Sequence, residues 1–251
     1  MATDTLHSRV AGDLRKSIEA GELTPGDEVP SEAQLQQKYD VSRVTVRKAL
    51  ATLEQEGLIT ARAGRGRTVR TRRTMVYRPQ ADEEPRRSRT MDRFMTSLTE
   101  EGRNPSQIID IKIEGADRIV AERYGVPEGT SMAVRRRVRS IDAEPFNIND
   151  TYYLLDLVKD TPIMNPADIP QGSNSVITQL LGREVRAIDE YYIRMPNPEE
   201  ATRLALPIGT PVAVHYLTGF TADDKVSRVE KYVLPGDRHV IVYEREHPQP
   251  E

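Results

Sequence analysis

Residues 41–50 read VSRVTVRKAL, and few local structures can accommodate them. Val46, Ala49, Leu50 and Leu53 recur at helical spacing. Ser42 stands ahead of them as a good N-cap, because its hydroxyl can accept from a first-turn amide that has no partner inside the helix. Val41 and Val46 then fall at the N′ and N4 positions of a hydrophobic staple. The pattern predicts a helix from Arg43 to about Gln55, ended by Gly57. Its opening turns carry Arg43, Arg47 and Lys48, at the end of the helix where the backbone dipole favours anions. A pattern that opposes local stability points to a negatively charged partner.

Charge along the chain supports the same partner. From 41 to 73 there are nine Lys and Arg against two acids, in a chain of 251 residues whose net charge is −3. A concentrated basic patch on an acidic chain is the electrostatic footprint of a nucleic-acid module, or else a solvated charged face. The absence of cysteine excludes disulfides, thiolate metal sites and cysteine nucleophiles. No apolar run reaches the roughly 20 residues of a membrane helix, and the stretch MATDTLHSRV lacks a signal-peptide core. A cytoplasmic location is expected.

Upstream, Leu6, Val10, Leu14 and Ile18 form one apolar helix face, with Gly21 as a C′ stop. TPGDEVP is a turn-rich connection, and SEAQLQQKYD a short second helix. After the helix from Arg43, LITARAGRGRTVR reads as a hairpin with a Gly-Arg-Gly tip. Three helices and a hairpin outline a winged helix-turn-helix. The stretch VPSEAQLQQKYDVSRVTVRKALATLEQEGLITARAGRGRTV resembles the DNA-binding domain of the GntR family of bacterial transcription regulators. Pro-Ser-Glu, Val-Ser-Arg-x-Thr-Val-Arg and Glu-Gly-Leu-Ile before a Gly-rich wing stand in the family's order. Ala33 departs from it, since the family commonly has Arg or another polar reader there. The resemblance implies that Ser42, Arg43, Thr45, Arg47 and Lys48 face a major groove. There the cations would meet phosphates or guanine edges, and Thr45 a phosphate or a thymine methyl. Gly64 and Gly66 would let the wing approach the duplex, with Arg65 and Arg67 entering a minor groove or holding phosphates.

The expected organisation is a winged helix-turn-helix over residues 1–73, a linker over 74–89 and an α+β domain over 90–247. TRRTMVYRPQADEEPRRSR, with little apolar content, reads as the linker. TMDRFMTSLTEEGR reads as a helix. Strand candidates are QIIDIKIEG, SMAVRRRVRSI, EPFNINDTYYL, VRAIDEYYIRM, TPVAVHYLTGFT, KVSRVEKYVLPG and HVIVYERE, joined by short turns that favour an antiparallel sheet. ADRIVAERYGVPEGTSMAV and PEEATRLALPIGTPVAV form an internal repeat, with Gly129 over Gly209 and Val134 over Val214. This two-copy unit resembles the chorismate-lyase-like effector domain of the HutC subfamily of GntR regulators.

In a strand, Arg135, Arg137 and Arg139 share one face. Such a row needs acids beside it, with Asp189 or Glu190 as candidates, or an anionic guest held by guanidinium contacts. The resemblance implies the guest. Arg137 and Arg139 match an Arg-x-Arg that holds phosphate in sugar-phosphate-sensing members. Asn149 and Arg228 stand where those members have two glutamates for sugar hydroxyls, and Ser173-Asn174-Ser175 replaces a Ser-x-Tyr at a helix start. An anionic effector other than an amino-sugar phosphate is therefore expected, contacted by Arg137, Arg139, Asn149, Ser173 and Arg228, although a regulator without a ligand stays open.

An enzyme built on the lyase fold is the competing class. His7, His215, His239 and His247 form no pair at metal-ligand spacing, and GRGR lacks the Lys-Ser/Thr of a phosphate-binding loop. No catalytic residue, metal or cofactor is expected. A structural nucleoid protein would need no repeat-built sensor. The expected partners are a palindromic operator in double-stranded DNA, a small anionic effector and a second copy of the chain, with no membrane. Repression is the family's usual mode.

Overall fold

The computed structural model describes residues 5–62, 66–70, 74–79, 93–169 and 171–245. It divides into two compact units, the first running to Thr74 and the second from Met75 onward, apart from Leu206–Thr210, which groups with the first.

The first unit holds helices α1 (Leu6–Glu19), α2 (Glu32–Tyr39) and α3 (Arg43–Gln55), then strands β1 (Ile59–Arg62) and β2 (Gly66–Val69). Ser31 caps α2 through a reciprocal capping box with Gln34. Ser42 caps α3 by accepting from the Thr45 amide at 3.2 Å. The expected stripe Val46, Ala49, Leu50 and Leu53 is fully buried, packed with Val10, Leu14 and Leu35, and Val41 joins it from the N′ position. Leu6, expected at the head of the α1 stripe, is instead exposed, because the core begins one turn later at Val10. The hairpin pairs Ile59 with Val69 and Arg62 with Gly66. Its tip, with Gly64 and Arg65, lies outside the described residues.

The second unit is a six-stranded antiparallel sheet in the order β4-β5-β6-β9-β8-β7. The strands are β4 (Pro105–Gly115), β5 (Ser131–Ile141), β6 (Glu144–Leu154), β7 (Glu184–Arg194), β8 (Val212–Thr221) and β9 (Val226–Pro235). Two short strands pair separately and in parallel, β3 (Met75–Tyr77) with β10 (His239–Ile241). Thus the first residues of the stretch expected as a linker form a strand, and only the start of HVIVYERE does. Helix α4 (Arg93–Glu100) packs on β4. Helices α5 (Arg118–Tyr124) and α8 (Pro198–Arg203) precede β5 and β8. They belong to the two expected repeats. In each, a Gly with positive φ (Gly129, +85°; Gly209, +79°) is followed by a Thr whose hydroxyl donates to a Pro carbonyl, at 2.7 Å for Thr130 and 2.8 Å for Thr210.

One face of this sheet carries Arg135, Arg137 and Arg139 from β5, opposite Thr151, Asn149 and Asn147 of β6. Helix α6 (Leu155–Val158), a 3-10 turn at Pro162–Met164 and helix α7 (Ser173–Leu181) lie over one end of that face. Their Val158, Ile163, Val176 and Ile177 pack against Ala133 and Tyr153. Tyr77 and Ile241, from β3 and β10, pack on Ala213, Tyr232 and Leu234 of the same face.

Candidate DNA-reading face and ligand pocket

The cap and the buried stripe fix which side of α3 looks outward. Arg43 and Arg47 are 67% and 63% exposed, and Lys48 is exposed beside them. Thr45 is half-buried, and its hydroxyl lies 2.9 Å from that of Ser42. Val44 is 65% exposed on the same side as Arg47 and Lys48. An exposed β-branched residue in that position suits a thymine methyl. It went unnoticed in the sequence because it is simply the apolar residue left out of the buried stripe.

Glu32 organises this surface. Its carboxylate accepts from Arg43 Nε at 2.8 Å, lies 3.5 Å from Arg47 Nε, and receives Arg67 Nη1 at 3.3 Å. The Arg43 hydrogen bond holds this carboxyl below the usual carboxylate range; burial opposes it, and the Arg43 and Arg47 charges and the Arg67 hydrogen bond add to it. Arg67 also donates to Glu54 at 2.8 Å. Arg67, expected beside the wing tip, is held here by two carboxylates on the helices. Gly66 has φ +74°, as a tight hairpin end requires.

In the second unit the three arginines of β5 have different environments. Arg135 is fully buried and donates to the carbonyls of Ile163, Asn165 and Ala167, closing the end of the 3-10 turn. Burial, and then the charge of Arg137, pushes its pKa down to about 10. Arg137 is half-buried and donates to Asn149 Oδ1 at 2.9 Å, Thr151 Oγ1 at 3.1 Å and Ser173 Oγ at 3.4 Å. Among the described residues, all its hydrogen bonds go to neutral oxygens. Arg139 is half-buried one step along, opposite Asn147. Asp189 and Glu190, the acids considered for neutralising this row, are engaged elsewhere, with His215 at 2.6 Å and Arg123 at 2.5 Å.

Helix α7 begins at Ser173 with Gly172 as N-cap and no side-chain capping bond. Its N-terminus, Ser173 Oγ and the Arg137 guanidinium therefore lie together. Asn149 is buried and donates to Glu230 at 3.4 Å. Arg228 is 5% exposed and pairs with Glu230 at 2.5 Å and Glu184 at 3.1 Å, while also donating to Asn174 at 2.9 Å. Arg228, expected as a ligand contact, has its donors on protein acceptors in this structure. The penultimate strand does bring a glutamate to this face, two residues beyond the expected position. Glu230 is buried, and its pKa is lowered; burial opposes ionisation, but Arg228 and the Tyr232 hydroxyl outweigh it.

Among the described residues, no group of three or more His, Cys, Asp or Glu could hold a metal ion. None of the described helices is long and apolar enough to cross a membrane.

A basic, capped recognition helix on one unit and a cluster of polar side chains around Arg137 on the other are the arrangement of a DNA-binding transcription regulator with an effector domain. Residues 6–69 match the family model for bacterial regulatory proteins of the gntR family, and residues 100–240 match the UTRA domain. The chain belongs to the GntR family of transcription regulators and carries a UTRA domain. It is 27% identical over 243 residues to the HTH-type transcriptional regulator SCO4628 of Streptomyces coelicolor, covering 94% of this chain and 90% of that one. It is 25% identical over 240 residues to the HTH-type transcriptional repressor NagR of Bacillus subtilis, covering 95% and 93%. A crystal structure of a GntR-family transcriptional regulator shares the fold at TM-score 0.63 and 24% identity, over 97% of this chain and 98% of that one. These families and relatives are transcription regulators, not enzymes.

Proposed function

We propose that the protein is a cytoplasmic, homodimeric repressor of the HutC type, released from or tightened on a palindromic operator by a small anionic ligand. Residues 1–73 form the reading head, 74–89 the connection and 90–247 the sensor and dimerisation domain. The observation that carries the ligand reading is Arg137, a half-buried guanidinium bonded to Asn149, Thr151 and Ser173 at the uncapped start of α7. A guanidinium with neutral partners keeps its charge for an incoming anion, and helix-start amides add oriented donors. Arg139 is the second anion contact. Glu230 and Asn149 face the ligand's hydroxyl or amine groups. The repressor sign is supported by the likeness to a protein described as a repressor.

On the reading head, Arg43, Arg47 and Lys48 contact phosphates or guanine edges, Thr45 a phosphate or a thymine methyl with the exposed Val44 beside it, and Ser42 fixes the helix start. Gly64, Arg65 and Gly66 are the wing residues that contact the duplex in this reading. Arg67 meets a minor groove or a phosphate once the duplex draws it from Glu54 and Glu32.

Two measurements test this reading. Operator affinity should fall by orders of magnitude from low to moderate salt, at a slope of about −0.9 per phosphate contacted; a flat profile would remove the DNA face. The double variant Arg137→Gln, Arg139→Gln should keep operator binding and lose stabilisation by anionic metabolites in a thermal-shift screen. Undiminished anion stabilisation in that variant would remove the pocket.

A further inference from the structure

A second polar cluster lies on the pocket's face of the sheet. His215, on β8, is fully buried. Its Nε2 is 2.6 Å from Asp189 Oδ1 on β7, and its Nδ1 is 2.9 Å from the Tyr77 hydroxyl on β3. A carboxylate oxygen can only accept, so Nε2 carries the proton, and in the neutral imidazole Nδ1 accepts from Tyr77. The ring is stacked between Tyr191, at 4.4 Å and 4°, and Tyr232, at 5.4 Å and 16°. Tyr232 belongs to both clusters: its hydroxyl donates to Glu230 at 2.5 Å.

β3 is the strand with which the chain enters the second unit. It has three residues. Its flanking main-chain bonds run from Met75 N to Arg238 O at 2.8 Å and from Val242 N to Tyr77 O at 3.0 Å. So short a parallel pair has few bonds of its own, and side-chain anchorage weighs heavily in keeping it docked.

We propose that Tyr77, His215 and Asp189 form a latch that couples the docking of β3 to the engagement of Glu230 in the pocket. The proposal rests on the pocket reading above and specifies how that pocket is heard at the chain entering from the reading head. A ligand hydroxyl or ammonium that donates to Glu230 competes with the Tyr232 hydroxyl for the same carboxylate. Tyr232 then swings out of its stack, His215 loses one wall, and its bond to Tyr77 loosens. β3 is released, and the residues that lead to the reading head gain freedom.

The test is a double-mutant cycle on the full chain without ligand, read by hydrogen exchange of the amides at 75–77 and at 242. Tyr77→Phe removes one hydroxyl, and Glu230→Gln weakens the acceptor that Tyr232 uses. Each should speed exchange at these amides about fivefold, the equivalent of one ordinary hydrogen bond. The double variant should exchange no faster than the faster single one. Multiplying effects, or a Glu230→Gln variant with unchanged exchange at 75–77, would overturn the latch. Exchange across β5 and β6 reports the integrity of the unit; if Glu230→Gln disturbs it, Tyr232→Phe takes its place in the cycle with the same expectations. Calorimetric titration of the parent and Arg137→Gln with inorganic phosphate tests the pocket separately, since a negative result there leaves the cycle readable.

Discussion

Both units place arginines beside carboxylates, yet the two arrangements behave oppositely. On α3, Arg43 and Arg47 are mostly exposed and share one partner, Glu32. Their ion pairs lie in solvent and contribute little to stability, so a phosphate or a base can take them over at small cost. In the sensor unit, Arg228 is almost wholly buried between Glu184 and Glu230, and no ligand can take it without leaving those acids unpaired. Arg137 stands between these extremes, half-buried but bonded only to neutral oxygens among the described residues. What separates an arginine that recognises a partner from one that holds the fold is not its charge. It is the cost of removing its present partners.

The largest expected effect breaks that comparison if it fails. Arg228→Met should destabilise the second unit by about 3–5 kcal/mol, because Glu184 and Glu230 lose a buried counter-charge. Arg43→Ala should change stability by less than about 1 kcal/mol. Denaturant melts of both variants give the answer, and equal losses would show that exposure does not distinguish the two arginines.

A histidine extends the contrast to acid. His239 is buried; its Nδ1 lies 3.0 Å from the Pro235 carbonyl, and its Nε2 has no hydrogen-bond partner among the described residues. A proton on Nε2 would therefore be a buried charge with no acceptor. Burial, the largest effect, lowers its pKa from 6.5 to about 4. The unfolded chain then takes up this proton before the folded one. The stability due to neutral His239 is complete above pH 6.5 and is lost as the pH falls towards 4. The full shift corresponds to about 3 kcal/mol. His239→Gln should flatten the fall in melting temperature between those pH values; a parallel profile would remove His239 as its cause.

Much of this was legible in the sequence, and what was not has a common physical reason. The α3 cap and stripe depend on residues within one or two turns, and every one of them stands where the spacing put it. SMAVRRRVRSI and EPFNINDTYYL coincide with β5 and β6, and alternation alone put Arg135, Arg137 and Arg139 on one face. Partner choice was not legible, because it is set by strands and turns far apart in the chain. Arg135 meets carbonyls about 30 residues away. Arg228 meets Glu184 across 44 positions, a partner that nothing local announces. Glu32 was visible within Pro-Ser-Glu, yet nothing local shows that Arg67, 35 residues on, returns to it.

Glu32 supplies the smallest expected effect and the sharpest test of the first half of the comparison. If the α3 arginines are held loosely for transfer to DNA, the residue holding them governs specificity more than stability. Glu32→Gln removes a negative charge from beside the DNA-facing surface, so binding to random DNA should strengthen slightly. It also frees Arg43 and Arg47 from a shared anchor, so their aim at base edges should blur. The ratio of operator to random-DNA affinity should fall about two- to fivefold, the scale of an exposed ion pair, with the melting temperature nearly unchanged. The pH dependence follows from the same hydrogen bonds. Because Arg43 and its neighbours hold this carboxyl below its ordinary value, the ionised form persists in moderate acid. The specificity ratio of the parent should therefore stay level from neutral pH down through the usual carboxylate range, and decline only as the pH falls through the lowered pKa. Gel shifts on operator and random duplexes at a series of pH values measure both effects. A Glu32→Gln variant that keeps the parent's ratio would mean that α3 aims its arginines without this acid.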